Sequence, residues 1–144
     1  MQTKDTLSGK RVLILGFGRQ GKALARWLPT VGASVVVNDS RTEETLNLNR
    51  RDYPNVRFIL GDHPDTAING IALICVSGGV PLDMPLLELA RQRNIAITND
   101  AQLFLERCPA PVIGITGSAG KTTTTTLVGE IVRLAGYKTW VGGN

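Results

Sequence analysis

The chain has 144 residues, 42% hydrophobic and 19% charged, and its 16 basic and 12 acidic side chains leave a net charge of +4. That balance belongs to a soluble globular protein with one ordinary domain's worth of core, and two complete α/β domains would be a tight fit. The mild positive excess suits anionic small molecules, whereas a nucleic-acid binder would show a concentrated basic stripe and, for single strands, more than 5% aromatic residues.

The N-terminus, Met1-Gln2-Thr3-Lys4-Asp5, has no apolar signal core. Arg11 to Leu15 is a short apolar run ending in glycine and predicts a first strand. Leu24, Trp27, Leu28 and Val31 then recur at helical spacing, Trp27 reading as core, and Gly32 stops the helix. Val35-Val36-Val37 predicts a second strand ending at Asn38-Asp39. Ser40-x-x-Glu43 has the form of a capping box, so a helix or helical turn is expected to begin there. Val56 to Leu60 and Ala72 to Val76 predict the third and fourth strands. His63, the only histidine, sits between them in Gly61-Asp62-His63-Pro64 and reads as a surface turn. Asp83 is placed to cap a helix through Leu86, Leu87, Leu89 and Ala90; Ile95-Ala96-Ile97 predicts a short strand; Asn99-x-x-Gln102 can cap a helix through Leu103 to Leu105.

Cys108-Pro109-Ala110-Pro111 breaks any helix, and the domain boundary is expected there, with 1–108 as one domain and 109–144 as the start of another. Beyond it, Val112 to Ile115 predicts a strand, Gly120 to Ala135 a helix and Lys138 to Val141 a strand. The alternation predicts an α/β protein: a Rossmann-like parallel sheet with helices on both faces, followed by the first β-loop-α-β of a P-loop unit. The two cysteines lie 33 residues apart with no metal spacing; Cys75, inside an apolar run, reads as a buried inert thiol. No apolar stretch approaches the roughly 20 residues that span a bilayer, so a reduced, cytoplasmic protein without membrane or nucleic-acid partners is expected.

Two glycine loops carry the chemistry. Gly16-Phe17-Gly18-Arg19-Gln20-Gly21 follows a strand, opens a helix, and precedes an acidic residue, Asp39, by 18 positions. Glycines let the backbone turn tightly against a diphosphate, and the helix N-terminus offers free N–H groups. Taken alone, Asp39 suits a ribose hydroxyl or a helix cap, and Arg41 an adenosine 2′-phosphate, which would make residues 1–108 an NADP-dependent oxidoreductase. The second loop, Gly117-Ser118-Ala119-Gly120-Lys121-Thr122, misses the strict GxxxxGK[ST] spacing because Gly114 lies one residue too early. Its physical parts are intact: backbone amides for phosphate oxygens, Lys121 as a point charge for the β and γ phosphates, and the Thr122 hydroxyl for Mg²⁺. A non-catalytic nucleotide-sensing module that uses one or both loops is a third reading.

The string Gly114 to Thr123, together with Gly142-Gly143-Asn144, resembles the Mur ligases of bacterial cell-wall synthesis. Leu13 to Gly21, Asp39-Ser40-Arg41, Ser77-Gly78-Gly79-Val80-Pro81 and Asn99 to Phe104 resemble the D-glutamate-adding branch of that family, in order and over nearly the whole chain. Ala119 stands where the family usually has Asn, Gly78 where it has Pro, and Gln102 where it has an acidic residue. The resemblance implies that Gly18, Arg19 and Gln20 meet the UDP end of UDP-N-acetylmuramoyl-L-alanine. It implies that Asp39, Ser40 and Arg41 hold the uracil and its neighbours, and that Ser77, Gly78 and Gly79 lie near the uridine nucleotide. Gly117 to Thr123 would hold ATP, with Lys121 and Thr122 catalytic and Thr122 on Mg²⁺, while Asn144 would touch the muramoyl-diphosphate side. The implied reaction is ATP-driven amide formation: the alanyl carboxylate attacks the γ-phosphate, and the amine of D-glutamate displaces phosphate from the acyl phosphate. Only 23 residues follow Lys121, so this chain by itself is expected to bind the UDP substrate without turnover, D-glutamate being a partner of the full-length protein only. Leu127, Val128, Ile131, Leu134 and Ala135 form an apolar stripe expected to pack on residues 1–108 or on another copy, and Trp140 is expected to be exposed.

Overall fold

The structure, a computed structural model, describes residues 4–142. The chain divides into two compact units, Met1–Arg107 and Cys108–Asn144.

In the first unit five strands form one fully parallel sheet in the order β3-β2-β1-β4-β5. These are β1 (Arg11–Leu15), β2 (Ser34–Asp39), β3 (Val56–Leu60), β4 (Leu73–Val76) and β5 (Ala96–Thr98). The helices are α1 (Arg19–Trp27), extended by a 3₁₀ turn to Val31, α2 (Pro85–Gln92) and α3 (Asp100–Arg107). β1 alternates between two cores, as a pleated strand covered on both faces must. Val12 and Ile14 pack with Leu24, Leu28 and Leu103 on the side of α1 and α3. Leu13 and Leu15 pack with Leu86, Leu87 and Ala90 of α2 on the other side. The result is the expected Rossmann-like layering. Cys75 is buried in the first core, where loss of hydration pushes its thiol up to about 12, opposed by the charge of Arg107 and helped by that of Asp100.

Local signals decide where elements begin and end. Gly32 stops the 3₁₀ turn in a left-handed conformation, as expected. Asn99 accepts a 2.8 Å hydrogen bond from the Gln102 amide at the start of α3. Two other expected caps are corrected. Asp83 does not cap α2: Met84 holds that position and Pro85 opens the helix, its fixed φ already helical and its missing N–H no loss there. Ser40 and Glu43 form no capping box, and the segment makes a single helical turn capped by Thr42, whose hydroxyl accepts from the Thr45 amide at 3.3 Å. Glu43 instead pairs with Arg50.

The second unit contains α4 (Lys121–Leu134). The strands expected at 112–115 and 138–141 are absent among the described residues. A strand is a paired state, and no partner edge lies beside either segment within this unit. Gly129 is the buried residue of α4, and a Cβ there would run into the side chain of Val141, so a small residue lets the following segment lie against the helix. Leu127, Ile131 and Leu134 stand exposed on α4, as does Trp140, as expected.

Candidate functional site

Register assembles the first site. Leu15, the last residue of β1, lies opposite Asn38 of β2 and Val76 of β4. The next residues on the three strands, Gly16, Asp39 and Ser77, therefore emerge side by side at the carboxyl edge of the sheet, where β1 and β4 run apart in chain order. This is the switch point at which open parallel sheets bind ligands. The Gly16 amide donates to the Asn38 carbonyl (2.8 Å), the Ser77 amide to the Leu15 carbonyl (2.9 Å), and the Ser77 hydroxyl to the Gly16 carbonyl (2.8 Å).

Gly21 must be glycine, because a Cβ would collide with the Gly16 carbonyl. Gly18 is different: a Cβ there meets open space. It sits at the N-cap of α1, where no side chain satisfies the helix N–H groups. No acidic residue occupies the first turn and Arg19 begins it, so the macrodipole there has no anionic partner from α1 itself. The arrangement leaves room and donors for an external anion.

Phe17, between the two glycines, is buried and stacks edge-on against Tyr53 and Phe58 at 5.2 and 5.3 Å. Its amide donates to Asp39 Oδ2 at 2.6 Å. Asp39 is itself buried and also accepts from the Arg41 amide (2.9 Å), Arg41 Nε (2.8 Å) and Arg41 Nη2 (2.7 Å). Burial pushes the Asp39 carboxyl up, but the side-chain and amide hydrogen bonds of Arg41, the Phe17 amide and the Arg41 charge outweigh it and hold the group at about 2. With four donors the carboxylate has no capacity to spare for a ribose. Arg41, matched to it as a fork, is not a free cation awaiting a 2′-phosphate. The geometry thus removes the observation that favoured an NADP site.

These residues surround an open crevice of about 390 Å³, lined by Gly16, Gly18, Asp39, Ser40, Arg41, His63, Ser77, Gly78, Gly79, Val80, Pro81 and Met84. That volume suits a small-molecule ligand. Arg19 and Gln20 are not in the lining. Gln20 instead accepts from the Gly78 amide at 2.9 Å and ties the loop after β4 to α1. His63 is a lining residue whose sequence context reads only as a surface turn, and Phe17, buried behind the loop, bears on the site through its amide bond to Asp39. An apolar residue inside a glycine loop is the available signal for Phe17; His63 had none, since its partner Asn38 is 25 residues away.

In the second unit the loop 117–120 leads into α4. Gly120 is the N-cap in a left-handed conformation (φ 76°) that favours glycine, and it offers no capping side chain. Lys121 Nζ donates to the Gly117 carbonyl at 2.6 Å, folding the amine over the loop, and Lys121, Thr122 and Thr123 are exposed. The hydroxyls of Thr125 and Thr126 bond back to the carbonyls of Lys121 and Thr122, whereas those of Thr122 and Thr123 make no such bond among the described residues. Ser118 and Ala119 are exposed at the loop tip. A free hydroxyl beside unpaired helix amides and a lysine fits a magnesium-bound phosphate chain. Asn144 lies outside the described residues.

The family of Mur ligase MurD-like N-terminal domains matches residues 10–99. The chain is 43% identical over 141 residues to a UDP-N-acetylmuramoylalanine–D-glutamate ligase from Koribacter versatilis, covering 94% of this chain and 30% of that one. Its identity to the ligase of the same name from Alkaliphilus oremlandii is 43% over 143 residues, covering 96% and 31%. Among solved structures it is similar to a murein peptide ligase from Psychrobacter arcticus, with a TM-score of 0.61 and 23% identity over 89% of this chain and 27% of that one, a likeness of fold. The chain therefore spans about 30% of the length of the curated relatives it matches.

Proposed function

The chain belongs to the Mur ligase family, as a MurD-like N-terminal domain, and from that premise we propose that its crevice binds the uridine-diphosphate end of UDP-N-acetylmuramoyl-L-alanine. The observation that carries this reading is the unfilled N-cap of α1 at the switch point, with Gly18 open to the crevice. A pyrophosphate there would meet the free amides of the first turn and the charge of Arg19. Ser40, Gly78 and Gly79 would line the nucleoside, and Asp39 and Arg41 act as one neutralised unit that shapes the wall. Ser77 and Gln20 hold the loops that frame the ligand.

We assign Gly117 to Thr123 to ATP, as the opening of the ligase's ATP-binding domain, which makes 1–108 and 109–144 parts of two domains. Lys121 would offset charge on the transferred phosphoryl group, and Thr122 would hold Mg²⁺. When bound, the metal would supply electrostatic stabilisation of the moving phosphate. The full-length protein would join D-glutamate to the alanyl carboxylate, activated as an acyl phosphate because carboxylate oxygen leaves poorly at neutral pH. ATP and the UDP-linked substrate are nucleotide metabolites of the cytoplasm, where we place the protein, and no described helix is long and apolar enough to cross a membrane. The 144-residue chain is proposed to bind without turnover.

Separate calorimetric titrations test the assignment. UDP-N-acetylmuramoyl-L-alanine should bind, NADPH should not, and a bare nucleotide bound without sugar preference would favour a sensing role. Binding of NADPH alone would overturn the proposal. Phosphate release from ATP with both amide-forming substrates present should stay at background.

A further inference from the structure

The reading of the crevice leaves its only histidine without a role. His63 follows β3 and lines the crevice near Asp39, Ser40 and Arg41. Its ring is not free to swing, for Nδ1 lies 2.6 Å from Oδ1 of Asn38. Asn38 is fully buried, and its amide orientation is dictated by the protein: Nδ2 donates to the carbonyls of Ile59 (2.9 Å) and Asp62 (2.7 Å). Oδ1 must therefore accept, which puts the proton on Nδ1 of His63. The other ring nitrogen, Nε2, has no protein partner among the described residues and in the neutral ring is purely an acceptor. A fully buried amide in a strand is costly unless all its groups are bonded, and here the last of its bonds fixes the tautomer of a crevice residue.

Resting on the proposed uridine-nucleotide site, we propose that His63 selects the base, with Asn38 as the positioning residue behind it. The pyrophosphate belongs at the N-terminus of α1, so the base extends across the tip of β2 toward β3, where His63 stands. Nε2 accepts a hydrogen bond from the imide N–H of a uracil-type ring. A cytosine-type ring presents a bare nitrogen at that position, bringing two lone pairs face to face, and is rejected.

The experiment titrates the chain and its His63→Phe variant with UDP and with CDP in mildly alkaline buffer, folding being checked by circular dichroism. The wild-type chain should prefer UDP. The variant should bind UDP roughly three- to tenfold more weakly, the worth of one hydrogen bond, and lose most of its preference over CDP. Because the chain has one histidine, its imidazole ¹⁵N resonances are unambiguous: Nδ1 should be protonated in the free protein, and UDP but not CDP should shift Nε2. Unchanged UDP affinity and preference in the variant, or ring resonances indifferent to UDP, would overturn the assignment of His63 alone. A wild-type chain that binds no UDP would remove the site reading together with it.

Discussion

A methyl group at Gly21 would run into the Gly16 carbonyl, while one at Gly18 would point into empty crevice. The two glycines of one motif thus differ in what they require: Gly21 answers to chain packing, and Gly18 to the ligand approach proposed above. Gly21→Ala should destabilise the chain by about 1–3 kcal/mol in urea unfolding, as expected for backbone overpacking. Gly18→Ala should change stability by less than about 1 kcal/mol yet weaken UDP binding at least as much as Gly21→Ala does in folded protein; equal stability losses would refute the distinction. Asp39 carries a pH signature. Its carboxyl falls from 3.8 to about 2 in the folded chain, which corresponds to about 2 kcal/mol of stability. Because the folded value lies below the unfolded one, that stability is fully present above about pH 4 and is lost as the pH falls through about 2. Urea melts across this window should show the loss, and Asp39→Asn should flatten it at the cost of lower stability at neutral pH.

Among the elements, the tie between Gln20 on α1 and the Gly78 amide holds the crevice wall without entering it. Gln20→Ala should leave stability within about 1 kcal/mol, speed hydrogen exchange at Gly78, and weaken UDP binding severalfold; an unchanged exchange rate would show that the loop needs no such anchor. Most elements of the first unit were legible because their signals are local. The strands are runs of Val, Ile and Leu, and Asn99 reads as a cap from its own neighbourhood. Ser40-x-x-Glu43 misled because Glu43 has a stronger partner in Arg50, seven residues on, and Asp83 because Pro85 already satisfies the first turn of α2. The segments at 112–115 and 138–141 show the same limit from the other side. Apolar content marks them as strands, but pairing requires a neighbour that composition does not supply. At the site the glycine loops and Asp39 were legible as motifs. The closure of Asp39 by Arg41 was not, and neither was the Asn38–His63 pair, because spacing does not reveal which acceptor a side chain has already satisfied.

The molecule as a whole offers two surfaces of opposite character. The first unit buries its apolar faces on both sides of the sheet, whereas Leu127, Ile131 and Leu134 form an exposed row on α4, with Tyr137 and Trp140 also exposed. Rows of this kind favour association. Sedimentation should therefore show an average mass that rises with concentration, and Ile131→Glu with Leu134→Glu should return it to that of a monomer; a monomer at every concentration would show that the row is tolerated in water. The crevice stands apart from that behaviour. All of its walls come from the stretch between Gly16 and Met84, so the nucleotide grip proposed for it would be a portable cassette. Evolution could join such a cassette to many different reaction chambers without reopening the question of how the handle is held.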